Sequence, residues 1–402
     1  MMFPNWQQLD VAVIGGGIGG LASATALRRA GHKVTIYERA DYVGEIGAPI
    51  CCAANASRWL EEWGVDIGIG KPVVMKKLIL HKWETGEVQE AADFSDYKER
   101  WGYVCNLFHR VDMHRMLMAS ATGPGEGEPA LLKTNHACKS VDHKNGILTF
   151  KNNVTAKHDL IVGADGIGSV VRTSLGISPE KKQSTSTCYY CIIETAKVRR
   201  LGLTDLAQNS AIQLWGGSGI DKITAVPSRG GDIEGFYCFF PTVLSDHSEE
   251  GWNHEATVEQ LLAPYPTLDA NVIALLRNST GISPWRLFVH KPYPHWQEDR
   301  ACILGDAAHP MMPDQAQGSC QAIEDAAALG IIFGPKYSYT HDINAGLKLY
   351  EKIRKPRASK VQAASARARE NARERIGFSS KNPDTGLEGK ITAEEINEYV
   401  CQ

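Results

Sequence analysis

Three glycines and one acidic residue near the start of the chain have the spacing of a dinucleotide-binding turn. Gly15, Gly17 and Gly20 form a GxGxxG pattern after a short apolar run, and Glu38 ends the next apolar segment. The first glycine permits a tight turn, the second lets the backbone approach a pyrophosphate, and the third lets a helix pack closely against a strand. The acidic residue can accept hydrogen bonds from a ribose. The pattern indicates a site for FAD or NAD(P), and Arg39 beside Glu38 leaves the choice open because their charges act oppositely on a 2′-phosphate.

Two later stretches bear on the choice between these dinucleotides. "LIVGADGIGSVVR" contains Asp165, Gly166 and Arg172, and "CILGDAAHPMMPDQAQGSCQAIEDAAALG" contains Gly305 and Asp306. A plain nicotinamide-dependent dehydrogenase does not need the second stretch. Taken singly, the two aspartates could be a turn residue and a helix cap. Their order along the chain, after the glycine pattern, is the informative feature.

This order of motifs resembles that of the class A flavoprotein monooxygenases, the group of p-hydroxybenzoate hydroxylase. The closer likeness is to salicylate hydroxylase and its fungal biosynthetic relatives, and it extends from about residue 9 to residue 357. The resemblance implies that the dinucleotide is FAD, that NADPH or NADH is the reducing co-substrate, and that O2 is the oxidant. The residues that match the family's cofactor contacts are Gly15, Gly17, Gly20, Glu38, Arg39, Arg110, Asp165, Gly166, Arg172, Gly305, Asp306, Pro313, Gly318 and Ser319.

The resemblance assigns roles to several of these residues. Arg110 contacts the cofactor, and a guanidinium suits a phosphate or a flavin edge. Asp306 binds the ribityl chain, and the motif of Asp165 and Arg172 serves both FAD and the nicotinamide. A helix opens at Gly318, and its N-terminal N–H groups are expected to stabilise negative charge on the flavin.

The segment between residues 176 and 284 has a different pattern. "TCYYCIIETAKV", "AIQLWG", "KITAVPS" and "GFYCFFP" indicate strands separated by glycine-rich turns. Their partial alternation is typical of a sheet that covers a pocket. We predict that Tyr190, Gln213, Trp215 and Phe239 bind substrate, with cross-strand packing as the alternative for each.

One departure from the resemblance concerns the charge of the substrate. Many relatives carry an arginine just after the aromatic residue of the first of these strands, where it can bind a phenolate or a carboxylate. This chain has Cys191 there. The role of binding an anion would then be lost or would move to Arg229 or His290. We therefore expect a larger and less charged aromatic than salicylate.

The activity that the resemblance implies is that of a single-component NAD(P)H-dependent monooxygenase. Such an enzyme hydroxylates an electron-rich phenolic or heteroaromatic ring through a flavin C4a-hydroperoxide, in some cases with dearomatisation or decarboxylation. The protein must keep water from the peroxide and deprotonate the phenol with a base whose pKa is near neutral. The predicted catalytic residues are His290, Tyr237 and Pro310; His309 is a further candidate base.

Two other classes of protein remain alternatives. A flavin-dependent halogenase or epoxidase shares the fold, but no W-x-W-x-I-P stretch is present. A flavin-binding redox protein without catalysis is the second alternative. Substrate-stimulated oxidation of NAD(P)H would distinguish an enzyme from it.

The predicted fold class is α/β, with a Rossmann-like FAD-binding domain interleaved with a mixed β-sheet substrate domain and followed by C-terminal helices. We expect the C-terminal helix to be broken near Pro356. The predicted segments are 9–70, 106–176 and 293–335 for FAD binding, 71–105 and 177–292 for the substrate domain, and 336–402 for the C-terminal helices.

Composition limits the partners of the chain. Its 402 residues carry a formal net charge of −3, which gives no basic field for a nucleic acid. No apolar run is long enough to span a bilayer, and the N-terminus does not resemble a secretory signal. We predict a cytoplasmic monomer or homodimer whose partner is a small aromatic substrate.

The ten cysteines are expected to be thiols rather than disulfides. Cys188 and Cys191 have the CxxC spacing, but residues three apart on a strand point to opposite faces. We predict no metal site.

Overall fold

The computed structural model describes residues 6–41, 47–180, 182–217, 219, 221–244 and 255–370. Part of the predicted C-terminal segment, residues 371–402, lies outside these residues. The described strands are β1 (Asp10–Ile14), β2 (Lys33–Tyr37), β3 (Pro49–Cys52), β4 (Val73–Val74), β5 (Lys77–His81), β6 (Val88–Asp93), β7 (Asn106–His109), β8 (Leu131–Lys133), β9 (Cys138–Asp142), β10 (Ile147–Phe150), β11 (Thr155–Lys157), β12 (Leu160–Gly163), β13 (Lys182–Glu194), β14 (Ala211–Gly216), β15 (Lys222–Ser228), β16 (Ile233–Pro241), β17 (Thr280–Val289), β18 (Gln297–Glu298) and β19 (Ala301–Ile303). The described α-helices are α1 (Ile18–Arg29), α2 (Ala54–Glu62), α3 (Tyr97–Trp101), α4 (Arg110–Thr122), α5 (Val170–Ser174), α6 (Thr195–Arg200), α7 (Val258–Leu262), α8 (Ala270–Arg277), α9 (Gly318–Phe333) and α10 (Ile343–Glu370).

The first lobe is built on a six-stranded sheet with the order β18-β19-β12-β1-β2-β8. β1 lies between β2 and β12 and is parallel to both, and β19 is parallel to β12. These strands are nearly continuous apolar runs because both faces of the sheet are covered. The carboxyl ends of β1, β12 and β19 therefore meet at one edge of the sheet. Each of the three sequence motifs begins where one of these strands ends, which explains how motifs so far apart in sequence reach one site.

The second lobe is a seven-stranded mixed sheet with the order β17-β13-β16-β15-β14-β5-β6. Its pairs are antiparallel except for β14 and β5, which are parallel. β5 and β6 come from the predicted insertion 71–105, and the other strands come from the predicted segment 177–292. The segment boundaries remain a prediction, and this membership of the sheets supports them.

The two faces of the second sheet have different surroundings. One face packs with α7 and α8 in a buried cluster that includes Cys191, Trp215 and Tyr265. The opposite face carries Cys188, which packs with Phe239 and other residues towards the first lobe. Cys188 and Cys191 thus lie on opposite faces, as their spacing on a strand predicts. None of the cysteines that the structure describes forms a disulfide.

Two elements differ from the sequence prediction. The strand expected to run through "ETAKV" ends at Glu194, and α6 begins at Thr195. The expected break near Pro356 is wrong, because α10 continues through this residue. Proline removes one N–H group from a helix. The ion pairs of Arg354 and Arg357 with Glu324 hold the helix against α9 on both sides of Pro356.

Across the described ranges, no helix is long and apolar enough to cross a membrane.

The guanidinium of Arg28 joins the end of α1 to the end of α4. Its Nη1 donates to the carbonyl oxygens of Ser120, Ala121 and Gly123 at 2.8, 3.2 and 2.8 Å, and its Nη2 donates to Gly127 at 2.8 Å. The residue is 1% exposed, so these oxygens depend on it for a donor.

Replacing Arg28 by methionine is expected to lower the free energy of unfolding by about 2–4 kcal/mol, because the carbonyls lose a charged donor while the apolar stem is kept. Urea unfolding followed by tryptophan fluorescence would measure the change. Arg29→Met is the matched control, because Arg29 forms an ion pair with Glu126 at the surface; we expect less than about 1 kcal/mol. Equal effects of the two variants would contradict the assigned role of Arg28.

Candidate functional site

A cavity of about 820 Å³ connects the two lobes. At one end it is bordered by the glycine turn after β1, and at the other by the face of the second sheet that carries Phe239 and Trp285. The loop between β19 and α9 lines it as well, from Gly305 to Ser319. All three motifs found in the sequence therefore border one cavity.

The glycine turn leaves room where side chains would not fit. Gly15 has a φ of +105°, and a Cβ on it would collide with the carbonyl oxygen of Ala164. A Cβ on Gly20 would collide with the carbonyl oxygen of Gly15. α1 starts after Gly17 without a side-chain cap, so its first N–H groups are available to an anion. This arrangement suits a phosphate group at a helix N-terminus.

Glu38 lies at the end of β2 and borders the same turn. Its Oε2 accepts a hydrogen bond from the N–H group of Gly16 at 2.8 Å, and its Oε1 accepts one from Ala40 at 2.9 Å. The carboxylate is thereby fixed at the cavity wall, with Arg39 also in the lining. The position suits a contact with a ribose hydroxyl, as the spacing predicts.

Asp165 and Arg172 organise the second motif in different ways. Asp165 lines the cavity and accepts hydrogen bonds from the Ser169 hydroxyl and from the N–H groups of Val170 and Val171, so it fixes the start of α5. Arg172 is not in the cavity lining. Its guanidinium donates to the carbonyl oxygen of Ala307 at 3.3 Å, which places it behind the loop that carries Asp306.

The loop that follows β19 is held by a buried carboxylate on α9. The N–H group of Gly305 donates to Asp325 Oδ2 at 3.1 Å, and His309 Nε2 lies 2.6 Å from the same oxygen. Arg354 Nε donates to Asp325 Oδ1 at 2.8 Å. Burial would raise the pKa of Asp325, but His309 and Arg354 outweigh it and hold that pKa below its usual value. Asp306, the next residue after Gly305, is left exposed towards the cavity.

A second carboxylate, Glu324, extends this network. It accepts hydrogen bonds from Arg354 at 2.5 Å, from Arg357 at 2.5 Å and from Asn55 at 2.6 Å. Asn55 Nδ2 also donates to Gln317, the residue at the N-terminus of α9, at 3.0 Å. The network ties α2, α9 and α10 together beside the cavity.

The start of α9 has no side-chain cap and borders the cavity at Gly318 and Ser319. A Cβ added to Gly318 would meet no atom of the described residues within 4 Å. The helix therefore begins at the cavity wall, where a helix N-terminus stabilises negative charge.

The far end of the cavity is aromatic. Tyr237 and Phe239 on β16 and Trp285 on β17 line it, together with Met312 from the loop before α9. The Tyr237 ring lies 5.9 Å from the Trp285 ring and 6.2 Å from the Phe239 ring. The Tyr237 hydroxyl donates to the carbonyl oxygen of Pro49 at 2.7 Å, which joins the second sheet to β3.

One ion pair crosses this aromatic end. Lys222, the first residue of β15, lies with its Nζ 2.5 Å from Asp314 Oδ1, and both residues line the cavity. Their side chains are 2% and 0% exposed. Lys222 Nζ also lies 5.2 Å from the centre of the Phe239 ring.

Two buried cysteines beside the cavity, Cys52 and Cys105, are not suited to act as nucleophiles. Cys51 lines the cavity, and its Sγ lies 3.4 Å from that of Cys105. The hydrogen bond to Cys51 and burial raise the pKa of Cys105, and burial raises the pKa of Cys52 to about 12. The thiols of Cys105 and Cys52 therefore stay protonated near neutral pH, whereas the thiolate is the reactive form.

Most of the predicted cofactor-binding residues share this cavity. Those that line it are Gly15, Gly17, Glu38, Arg39, Arg110, Asp165, Gly166, Gly305, Asp306, Pro313, Gly318 and Ser319. Gly20 and Arg172 support the wall from behind, through Gly15 and Ala307. Their contacts with the cofactor remain predictions.

The predicted substrate residues divide according to the face of the sheet. Phe239 lines the cavity, and the Tyr190 ring lies behind Tyr237 and Trp285, at 5.6 and 6.0 Å. Gln213 and Trp215 point to the opposite face, because side chains alternate along a strand and Ile212 faces the cavity.

Gln213 and Trp215 instead contact His81 on that opposite face. Gln213 Oε1 lies 2.9 Å from His81 Nε2, and the Trp215 ring stacks on His81 at 4.3 Å. The expectation that these two residues line the substrate pocket is therefore corrected.

The predicted catalytic residues are also separated. Tyr237 lines the cavity, but His290 and Pro310 are not among its lining residues. His290 is buried, and its Nδ1 lies 3.0 Å from the Tyr293 hydroxyl. The carbonyl oxygen of Pro310 accepts a hydrogen bond from Gln362 at 2.8 Å. The expectation that His290 and Pro310 act at the cavity is therefore corrected. Both residues make supporting contacts beside the loop instead of facing the cavity.

The sequence analysis missed two buried clusters of charged residues, the pair of Lys222 with Asp314 and the network around Asp325. Lys222 and Asp314 lie far apart in the chain, and no spacing rule connects them. Asp325 and Glu324 stand in the apolar helix "SCQAIEDAAALG", where paired acidic residues on a buried helix were a signal that cationic partners would be needed. Arg354 supplies that partner from α10.

The residues present fit FAD. The glycine turn suits a pyrophosphate, because side chains at Gly15 and Gly20 would disrupt it. The space beside Gly318 suits a flavin edge. Arg110 and Asp306 line the wall between these two points, where they would meet the linking part of the cofactor. When bound, FAD would supply the redox chemistry of the site.

Replacing Asp325 by asparagine is expected to lower the free energy of unfolding by about 3 kcal/mol at pH 7, because Arg354 and His309 lose their charged acceptor. The depressed pKa sets the sign of the pH dependence. The contribution is fully present above the unfolded-state pKa of about 4 and is lost as the pH falls below it.

Urea unfolding of the wild type and of Asp325→Asn between pH 3 and pH 7 would measure the difference in their free energies of unfolding. Asp299→Asn is the control, because Asp299 pairs with His143 at a side-chain exposure of 40%. A gap between wild type and Asp325→Asn that stays constant over this pH range would contradict the assigned charge state of Asp325.

Replacing Gly318 by alanine is expected to leave the fold intact and weaken FAD binding by about tenfold or more. The added methyl group meets no atom of the residues that the structure describes, but it would enter the space that we expect the cofactor to occupy. Titration of the apoprotein with FAD, with thermal unfolding of the apoprotein beside it, measures both effects. Unchanged affinity would show that no cofactor occupies this space.

Comparison with known proteins agrees with this geometry. The family model described as "FAD binding domain" matches residues 8–365. The chain is similar to hispidin-3-hydroxylase of Neonothopanus nambi, with 32% identity over 89% of this chain and 87% of that protein. It is similar to 3-hydroxybenzoate 6-hydroxylase 1 of Aquipseudomonas alcaligenes, with 30% identity over 89% of this chain and 87% of that protein.

The fold is similar to that of Klebsiella pneumoniae HpxO complexed with FAD and uric acid. The TM-score is 0.75 at 22% identity, and the match covers 99% of this chain and 97% of the other. The predicted fold class and the expected cofactor are thereby confirmed. The chain belongs to the FAD binding domain family, and it is an FAD-dependent flavoprotein monooxygenase.

Proposed function

We propose that the protein hydroxylates the ring of a small electron-rich aromatic, phenolic or heteroaromatic, with NAD(P)H as the reductant and O2 as the oxidant. One oxygen atom enters the ring and the other leaves as water. NAD(P)H supplies the two electrons that balance this exchange, and one proton is consumed. The substrate end of the cavity, lined by Tyr237, Phe239 and Trp285, would hold the ring.

The single observation that supports this proposal most is the continuity of the cavity. The wall that fits FAD, with Asp306 and Gly318, passes without a partition into the aromatic end, with Phe239 and Trp285. An aromatic ring packed there would lie beside the flavin edge of the site. Proximity of this kind is what ring hydroxylation requires of the protein.

The side chains of the aromatic end are suited to keep water away from the reacting atoms. Phe239 is 3% exposed and Met312 is 4% exposed, and they pack in one cluster between the sheet and the loop before α9. The bond from Tyr237 to Pro49 closes the sheet onto β3. A closed, apolar site limits the loss of oxygen as hydrogen peroxide.

The roles of the predicted catalytic residues follow from their positions. Tyr237 is the predicted base that lines the cavity, but its hydroxyl already donates to Pro49. We therefore assign it a role in positioning the wall rather than in accepting a proton. We propose that His290 and Pro310 support the loop and take no direct part in the reaction.

The relatives support hydroxylation over the other activities. Two of them are named as hydroxylases, and one of those names specifies 3-hydroxybenzoate. No relative described above is named as a halogenase or as a protein without catalysis. The cytoplasmic location and the monomeric or dimeric state remain predictions.

The proposed activity can be tested by anaerobic stopped-flow reduction of the bound FAD. NADH and NADPH would each be mixed with the holoenzyme, with and without a panel of phenols and heteroaromatics. We expect one class of aromatic to accelerate bleaching of the flavin and to yield a hydroxylated product once air is admitted. Fast reduction that no aromatic changes, with peroxide as the only oxygen product, would contradict ring hydroxylation.

Replacing Trp285 by alanine is expected to raise the fraction of NAD(P)H oxidation that yields hydrogen peroxide several-fold, because water gains access to the aromatic end. A peroxide assay beside NAD(P)H consumption measures this fraction. Trp215→Phe is the matched control, since Trp215 belongs to the cluster on the opposite face of the sheet. An increase in both variants would show that sheet stability, rather than the cavity wall, controls the coupling.

A further inference from the structure

We propose that the ammonium group of Lys222, held in place by Asp314, binds the ionised hydroxyl oxygen of the aromatic substrate. The protein would then select aromatics that carry an acidic ring hydroxyl. This inference deepens the proposed hydroxylation and rests on it. It replaces the expectation of a less charged substrate, which rested on Cys191 standing where many relatives carry an arginine.

The position of Lys222 sets it apart from the other cations of the site. The lysine and arginine residues in the described lining are Arg39, Arg110, Lys151 and Lys222, and the first three belong to the segments 9–70 and 106–176 predicted for FAD binding. Of the described lining residues that the second sheet contributes, only Lys222 is charged. Its ammonium group lies 5.2 Å from the Phe239 ring, at the aromatic end.

The earlier candidates for this role are used elsewhere. Arg229 Nε lies 2.7 Å from Asp112 Oδ2, and its Nη2 lies 3.2 Å from His109 Nδ1. His290 lies against Tyr293. Neither Arg229 nor His290 is among the residues that line the cavity. Lys222 is the cation that the fold brings to the place where the ring would bind.

A buried ion pair at this place calls for an explanation beyond stability. Removing two charges from water is costly, and a well-packed apolar pair is often as stable as a buried ion pair or more so. The neighbouring wall is made of Phe239, Trp285 and Met312, which would exclude water equally well with apolar partners at both positions. The presence of Lys222 and Asp314 is therefore best explained if they bind a charged group of the substrate.

An ionised hydroxyl supplies that charge. A phenolate is strongly disfavoured in an apolar cavity unless a cation pairs with it. An opposite charge within a few ångströms lowers the pKa of an acid by about 1–3. Ionisation also raises the electron density of the ring, which is the property that hydroxylation needs. Binding by Lys222 would thus select the substrate and activate it.

Other titratable groups stand around Lys222. Asp314 faces it from the loop before α9, Tyr237 lines the same end from β16, and Asp221 precedes it in the chain. Burial raises the pKa of Asp221. Asp314 is the group in direct contact, and it serves as a positioning residue that keeps the ammonium charge at the cavity wall.

The test is a spectroscopic titration of the FAD holoenzyme with 4-nitrophenol, 4-nitrocatechol and 7-hydroxycoumarin. Each of these hydroxyaromatics has different absorption spectra in its neutral and ionised forms. Titration one pH unit below the solution pKa of each reporter, followed by difference absorbance, shows which form binds. We expect the wild type to bind at least one reporter as its anion.

The Lys222→Met variant is expected to bind the same reporter as the neutral form, and about tenfold or more weakly at that pH. Lys222→Arg should restore the anion spectrum, because it keeps the charge. The double variant Lys222→Met with Asp314→Asn removes both charges together, so no uncompensated carboxylate disturbs the fold. Lys82→Met, which removes an exposed ammonium paired with Glu87, is the control and should behave as the wild type.

The outcomes separate this inference from the proposed function. Equal affinity and the same anion spectrum in the wild type and the double variant would overturn the role of Lys222 and leave hydroxylation standing. Binding of only the neutral form to the wild type would overturn it too. If no reporter binds while aromatics still accelerate flavin reduction, the inference fails alone; if neither occurs, the proposed function fails with it.

Discussion

Two neighbouring carboxylates on α9 hold together the elements that shape the cavity. Asp325 binds Gly305 in the loop after β19 and also His309 and Arg354. Glu324 binds Arg354 and Arg357 from α10. Breaking such a buried pair leaves a charge without compensation, which is strongly destabilising. The position of Asp306 at the cavity therefore depends on side chains, those of Asp325, Glu324 and Arg354, that do not line the cavity themselves.

The two faces of the seven-stranded sheet also have different roles in shaping the site. One face is fully covered by its own helices, with Trp215 and Tyr265 in the core. The other face is completed by the loop from the first lobe, through Phe239 and Met312. A substrate that enters here is enclosed by both lobes, so the site exists only because the chain passes between them more than once.

The sequence was sufficient to predict those parts of the site that follow from residue spacing within one segment. The glycine spacing, the apolar strands and the order of motifs predicted the nucleotide half of the site, because parallel strands end at one edge of a sheet. It was not sufficient for the substrate end. The face to which Gln213 points depends on strand register, and the partners of Lys222 and Asp325 come from distant segments. Neither follows from spacing alone, and the continuity of α10 through Pro356 depends on packing in the same way.

A crystal structure of the FAD holoenzyme with the aromatic that most accelerates flavin reduction would test the central claim most directly. The claim is that one cavity holds the cofactor and the substrate side by side. The account predicts electron density for the aromatic ring among Phe239, Trp285 and Met312, in the same cavity as the cofactor. Density for the ring elsewhere, for example in the separate cavity beside Arg199 and Gln208, with FAD in place, would contradict it.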